Sequence, residues 1–211
     1  MAEWRRDDLP GSPIRDVILD ATREHDNGWI EPDRAPIVDP ATGRLLDFIT
    51  APEPVRQGIW PRGVERLHDT PYAAALVAEH ALSVYEHYRD RPSWTGFFAS
   101  MEEMRDTALA AAAPRTIADL RRDYFFVRMG DLASLAFCNA WREPQKLARY
   151  ELRIEGRELR FAPDPFAGAR VPVSVRARRL PNRPFASSAD AAAAFEAAPA
   201  VELAGIACGQ S

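Results

Sequence analysis

Apolar residues recur at helical spacing in four separate stretches between Ser12 and Trp141, which predicts a mainly helical region. The first helix follows Ser12-Pro13, where a capping side chain precedes a proline at the first helical position, and it should end at Gly28. Three further helices are predicted over residues 71–90, from Ser93 to a stop at Pro114, and over residues 117–141.

The segment between the first two predicted helices, residues 30–67, contains six prolines. Because proline lacks a backbone donor and interrupts regular helices, we expect a long loop here. Trp29 lies near one end of this segment and Trp60 near the other. These two side chains could line a substrate pocket from above, or they could fix the loop to the core.

After Pro144 the apolar residues alternate, as in strands with one buried face. The pattern predicts a small antiparallel sheet, followed by a short helix from Ser188 to Ala197 and a last apolar strip from Val201 to Ala207. A sheet this thin needs a partner surface. We therefore predict an α+β protein, mainly α: a helical part over residues 1–145 and a β-rich extension of the same domain over residues 146–211.

Composition limits the function. The chain has 211 residues, enough for one sizeable core, and a net charge of -4, which provides no basic field for nucleic acid or an anionic membrane. Cys138 and Cys208 form no CxxC pair, so neither a disulfide framework nor a thiolate zinc site is indicated. We also expect neither a secretion signal nor a membrane span, because residues 1–10 have no apolar core and no 18 consecutive apolar residues occur. These features predict a cytoplasmic protein that acts on a small molecule, and they leave its oligomeric state open.

Four polar residues fall at informative positions in the predicted helices. His25 and Asp26 follow the apolar positions of the first helix, and His80 and Asp131 lie on faces that should be buried. A carboxylate in an apolar stripe costs several kcal/mol unless it is paired. Arg128, one turn earlier, offers Asp131 a local partner, whereas the imidazoles and a divalent ion offer another.

Each of these residues also has an ordinary structural role open to it. His25 could interact with the helix dipole, Asp26 could cap the following turn, and His80 could be a hydrogen-bonded core histidine. The mixed set of imidazole and carboxylate nevertheless suits a divalent metal ion, and such a set leaves positions for water.

The sequence has no Gly-x-Ser-x-Gly elbow and no glycine-rich phosphate loop. Metal-assisted hydrolysis by a metal-bound water needs neither of them. The hypothesis is therefore a hydrolase with His25, Asp26, His80 and Asp131 as ligands of an ion whose identity the sequence does not indicate. The alternative is a non-catalytic ligand-binding or interaction module in which the same residues form a buried hydrogen-bond network.

Two family resemblances rest on these residues. The tetrapeptide His25-Asp26-Asn27-Gly28 resembles the His-Asp signature of the HD superfamily of metal-dependent phosphohydrolases, although that pattern expects an earlier histidine and the first 24 residues contain none. More of the chain resembles domain of unknown function 3891, a bacterial family. The segments that carry this second resemblance are His25 to Trp29, Pro71 to Leu76 with His80, Asp131 to Leu135 with Cys138, and Pro163 to Phe166.

The HD resemblance implies a helical HD-like core and a phosphoester substrate. It also implies that His25 and Asp26 are the ligating pair, that Asp131 is the distant aspartate, and that His80 is an additional ligand.

Overall fold

The computed structural model describes residues 1–9 and 11–210. Within these residues the chain forms seven α-helices, five strands and three short 3-10 turns. The helices are α1 Arg15–Glu24, α2 Ile30–Arg34, α3 Glu53–Glu65, α4 Pro71–Tyr85, α5 Thr95–Ala111, α6 Ile117–Cys138 and α7 Ser188–Ala197. The strands are β1 Gln145–Leu147, β2 Tyr150–Glu155, β3 Glu158–Ala162, β4 Val171–Arg178 and β5 Ala200–Gly209. The 3-10 turns are Asn27–Trp29, Glu86–Tyr88 and Pro92–Trp94.

The four helices expected from hydrophobic spacing are present as α1, α4, α5 and α6. The first ends at Glu24 rather than at Gly28, because the chain tightens into a 3-10 turn over Asn27–Trp29. A capping box starts α6: the Thr116 hydroxyl accepts the Asp119 N–H, and the Asp119 carboxylate accepts the Thr116 N–H.

The prediction that residues 30–67 form a long loop was wrong, since α2 and α3 lie within them. Pro54 falls in the first turn of α3, where the helix needs no backbone donor. Pro61 does lie inside the helix, but Ile59 and Trp60 beside it are buried in a core cluster shared with α4 and α5. The burial of this face outweighs the low helix propensity of the proline.

The C-terminal sheet has the strand order β1-β2-β3-β5-β4. It is mixed, not purely antiparallel as expected, because β5 runs parallel to β3 while all other neighbours are antiparallel. The connection through α7 carries the chain back so that β5 lies between β3 and β4. Alternating hydrophobicity shows which face of a strand is buried, but it does not report strand direction, so this pairing was not accessible from the pattern. The short helix predicted over Ser188–Ala197 is confirmed.

One core cluster joins the helices to the inner face of the sheet. At its centre Trp4 is fully buried, and its indole meets five aromatic rings with centroids 4.8 to 6.4 Å away. These rings belong to Phe125, Phe126, Tyr150, Phe161 and Phe166. The N-terminal segment therefore packs between α6 and the strands.

None of the helices in the described residues is both long enough and apolar enough to cross a membrane.

The hydrogen bonds at the start of α7 predict that the stability of the protein depends on pH in the acid range. Arg183 donates two hydrogen bonds of 2.7 and 2.8 Å to Asp190, and the Ala186 N–H donates a third. These donors, the arginine first, lower the pKa of Asp190 from 3.8 to about 2. A carboxyl whose pKa is depressed on folding contributes stability above its unfolded pKa, and this contribution is lost as the pH falls from about 4 towards 2. The difference in Tm between the wild type and Asp190→Asn should therefore be smaller at pH 3 than at pH 6.

Thermal unfolding followed by circular dichroism tests this prediction. Asp90→Asn is the control, because Asp90 is exposed and has no ion-pair partner among the described residues. An Asp190→Asn effect of equal size at both pH values would contradict the assignment.

Candidate metal centre

His25 caps the C-terminal end of α1 with its ring held in one orientation. Its Nδ1–H donates to the Thr22 carbonyl at 2.8 Å. Its Nε2 lies 3.2 Å from Asp26 Oδ2 and 3.6 Å from Asp131 Oδ1, but neither contact has hydrogen-bond geometry. This nitrogen is therefore buried and has no hydrogen-bond partner among the described residues.

His80 lies in the middle of α4 and is only 1% exposed. Its Nδ1 is 3.1 Å from the Tyr124 hydroxyl, and its Nε2 is 3.9 Å from Asp131 Oδ2. The His80 ring stands nearly perpendicular to that of His25, with centroids 5.0 Å apart, and Trp60 covers another side at 5.4 Å. The two histidines thus direct their Nε2 atoms towards the same carboxylate.

Asp131 supplies that carboxylate from α6 and is also buried. Its Oδ1 faces His25, while its Oδ2 accepts a hydrogen bond from Arg128 and faces His80. One ligand atom from each of His25, His80 and Asp131 lies within 4.8 Å of the other two. Ligands at about 2.0 to 2.2 Å from a common ion can be up to roughly 4 Å apart, so small side-chain movements would bring the three onto one ion. This buried cluster could hold a metal ion.

The two histidines differ in charge. Burial disfavours the charged form of His25, but the carboxylates of Asp131 and Asp26 outweigh burial and raise its pKa to about 10. Complete burial, followed by the charge of His25, lowers the pKa of His80 to about 3. Burial would raise the pKa of Asp131, but His25, His80 and Arg128 together lower it. Without an ion, the cluster therefore contains a protonated His25, a neutral His80 and an ionised Asp131.

The remaining predicted site residues lie around this cluster. Asp26 is 56% exposed and lies outside the group of three, beside the Nε2 of His25. Trp29 is partly buried against the core cluster of α3, α4 and α5, and Trp60 is almost fully buried within it. Both tryptophans therefore attach their segments to the core, and Trp60 also forms one wall beside His80.

The close packing of Gly28 against α3 explains why this position, three residues after His25, is a glycine. A Cβ at this position would overlap the carbonyl oxygen of Ile59 on α3. A Cβ at Gly63 would likewise lie only 2.8 Å from Asn27 Oδ1. The 3-10 turn thus packs backbone to backbone against α3, which holds the end of α1 in the position where His25 meets His80.

Sequence reasoning did not assign the groups that orient the imidazoles. The acceptor for His25 is the backbone carbonyl of Thr22, one turn earlier. Because every residue has such a carbonyl, the sequence carries no sign of this contact. Tyr124 did carry a signal: it lies seven residues before Asp131 on the same apolar stripe, so both side chains face α4.

A second buried carboxylate on α6, Asp123, was also not expected. It accepts hydrogen bonds from the Tyr72 hydroxyl at 2.8 Å and from Arg122 Nε at 3.0 Å. It lies outside the candidate metal centre and therefore provides a matched control for Asp131.

The fold and the site define an α+β protein with a buried His/His/Asp cluster at the junction of three helices. Residues 1–182 match the family described as Protein of unknown function (DUF3891), and the chain belongs to this family. The match covers all elements up to the end of β4 and confirms the narrower of the two resemblances. No curated protein and no solved structure was found to match the chain. The HD-superfamily resemblance stays a prediction.

Proposed function

We propose that the protein is a metal-dependent hydrolase that acts on a phosphoester of a small molecule. His25, His80 and Asp131 would hold a divalent ion, and Asp26 would complete the set from the exposed side. The observation that supports this proposal is the shared direction of two anchored imidazoles: each Nδ1 has a partner, and each Nε2 faces the same buried carboxylate. Partners at Nδ1 that fix the ring are typical of histidine ligands.

The donor set fits such an ion. The Nε2 atom of His25 is buried and has no hydrogen-bond partner among the described residues, and coordination to a metal ion would satisfy it. A divalent ion held there would lower the pKa of a water molecule and polarise a phosphoryl oxygen. The protein supplies the rest: Thr22 and Tyr124 orient the rings, and Trp60 excludes solvent on the side of His80.

A second candidate function has one observation in its favour. The cluster is electrically balanced without an ion, since protonated His25 and Arg128 face Asp131 and Asp26. This balance supports a non-catalytic binding or interaction module in which the same residues form a structural hydrogen-bond network.

Elemental analysis of purified, untagged protein distinguishes the two. The protein is incubated with manganese, iron, zinc and nickel, desalted and analysed. A hydrolase of the proposed kind should retain about one equivalent of metal, and Asp131→Asn should lose it because the carboxylate is a ligand. Asp123→Asn, which neutralises the other buried carboxylate of α6, should retain it.

Circular dichroism of both variants checks that the helices are folded. Full metal occupancy in folded Asp131→Asn would refute the ligand assignment, and the absence of metal from the wild type would favour the structural network. A metal-loaded wild type would then be assayed with phosphoesters.

A further inference from the structure

Arg128 lies at the edge of the candidate metal centre with most of its donors unused. A guanidinium has five N–H donors. Within residues 1–9 and 11–210, Asp131 is the only hydrogen-bond partner of the Arg128 guanidinium, and it takes a single donor. The Arg128 side chain is 33% exposed, so part of it is open to solvent.

The ligand atoms lie below the surface that Arg128 borders. The side chains of His80, Asp131 and His25 are 2%, 8% and 11% exposed, in that order. This low exposure favours a reacting group that enters the site end-on. A terminal phosphate can do so, whereas an internal phosphodiester would have to bring a second bulky substituent below the surface.

Building on the proposed function, we infer that the substrate is a terminal phosphomonoester and that Arg128 binds its phosphoryl oxygens while it remains paired with Asp131. The forked guanidinium matches the spacing of phosphoryl oxygens and binds them through two parallel hydrogen bonds. The shared carboxylate orients the fork, because Asp131 lies one turn after Arg128 on the same helix and accepts a hydrogen bond from one of its terminal nitrogens.

Asp26 is exposed beside the same cluster, so its negative charge would repel an anionic substrate at this position. It lies 3.2 Å from the Nε2 of His25, so its charge is partly compensated there. With His25 acting as a metal ligand, Arg128 would be the cation of the cluster with free donors for the substrate.

Binding of inorganic phosphate by calorimetry tests the role of Arg128 in protein loaded with stoichiometric manganese. Arg128→Ala should weaken phosphate binding by about 10- to 100-fold, the usual effect of losing charge-assisted hydrogen bonds. Arg128→Lys is the deciding variant, because lysine keeps a positive charge beside Asp131 but lacks the fork. It should retain metal and stability while still binding phosphate more weakly than the wild type.

Arg122→Ala is the matched control, since it also removes an arginine from a buried carboxylate of α6. It should leave phosphate affinity unchanged. Wild-type phosphate affinity in both Arg128 variants would overturn the inference, and so would an equal loss in Arg122→Ala.

The ester preference tests the substrate class separately. Manganese-loaded protein should hydrolyse p-nitrophenyl phosphate and should leave bis(p-nitrophenyl) phosphate intact. Faster hydrolysis of the diester would overturn the terminal-phosphate inference and leave the proposed hydrolase standing. A wild type that binds neither metal nor phosphate would overturn both.

Discussion

Substitution of Gly28 by alanine should lower the free energy of unfolding by about 3 kcal/mol, the upper end of the usual cost of overpacking. The added methyl group would overlap the backbone carbonyl of Ile59, which cannot rotate away as a side chain could. Either the 3-10 turn or α3 must therefore move. Urea unfolding followed by circular dichroism in the presence of a chelator measures the change.

Gly58→Ala is a close control, because Gly58 lies on α3 next to Ile59 and a Cβ there would meet nothing within 4 Å. It should be stabilising by about 0.5 to 1 kcal/mol, since alanine is the better helix former. Equal stability of the two variants would show that the turn is not packed against α3 as described.

Asp131→Ala should destabilise the metal-free protein by about 3 kcal/mol. Its removal leaves Arg128 and protonated His25 without their shared counter-ion in a buried site. The loss of one partner of a buried ion pair usually costs about 3 to 5 kcal/mol. The lower end applies here because Arg128 is partly exposed and can turn towards solvent.

A double-mutant cycle with Arg128→Ala isolates the pair. The double variant should be more stable than the sum of the two single losses predicts, because removing both partners leaves neither charge stranded. Additive losses would mean that Arg128 contributes nothing to Asp131. An Asp131→Ala protein within 1 kcal/mol of the wild type, an effect typical of a surface position, would contradict the buried charge balance itself.

The helices could be predicted from the sequence where one face is buried, because burial places apolar residues at helical spacing. The apolar steps through α4 and α6 are long and regular, and the structure has both helices within a few residues of the prediction. In α3 the prolines concealed the pattern, because Pro54 is harmless in the first turn and Pro61 is tolerated by tertiary packing. Local propensity favours a loop here, and the packing of this segment against α4 and α5 reverses it.

The candidate site was predictable as a set of residues but not as a geometry. Asp131 stood out because a carboxylate in an apolar stripe demands a partner, and both partners weighed for it, Arg128 and the histidines, lie beside it. The contact of the His80 ring with Tyr124 depends on how α4 crosses α6, which no single-helix pattern contains. The role of Gly28 likewise depends on α3, a helix that the sequence did not reveal.

The central position of Trp4 has a consequence for synthesis on the ribosome. Its indole packs against Phe161 and Phe166, which are translated more than 150 residues later. At about 5 to 20 residues per second, the N-terminal segment waits on the order of 10 to 30 s for these partners to be made. During that interval the large apolar side chain of Trp4 lacks its final environment, so the helical half can emerge in full before the core that it shares with the sheet is closed.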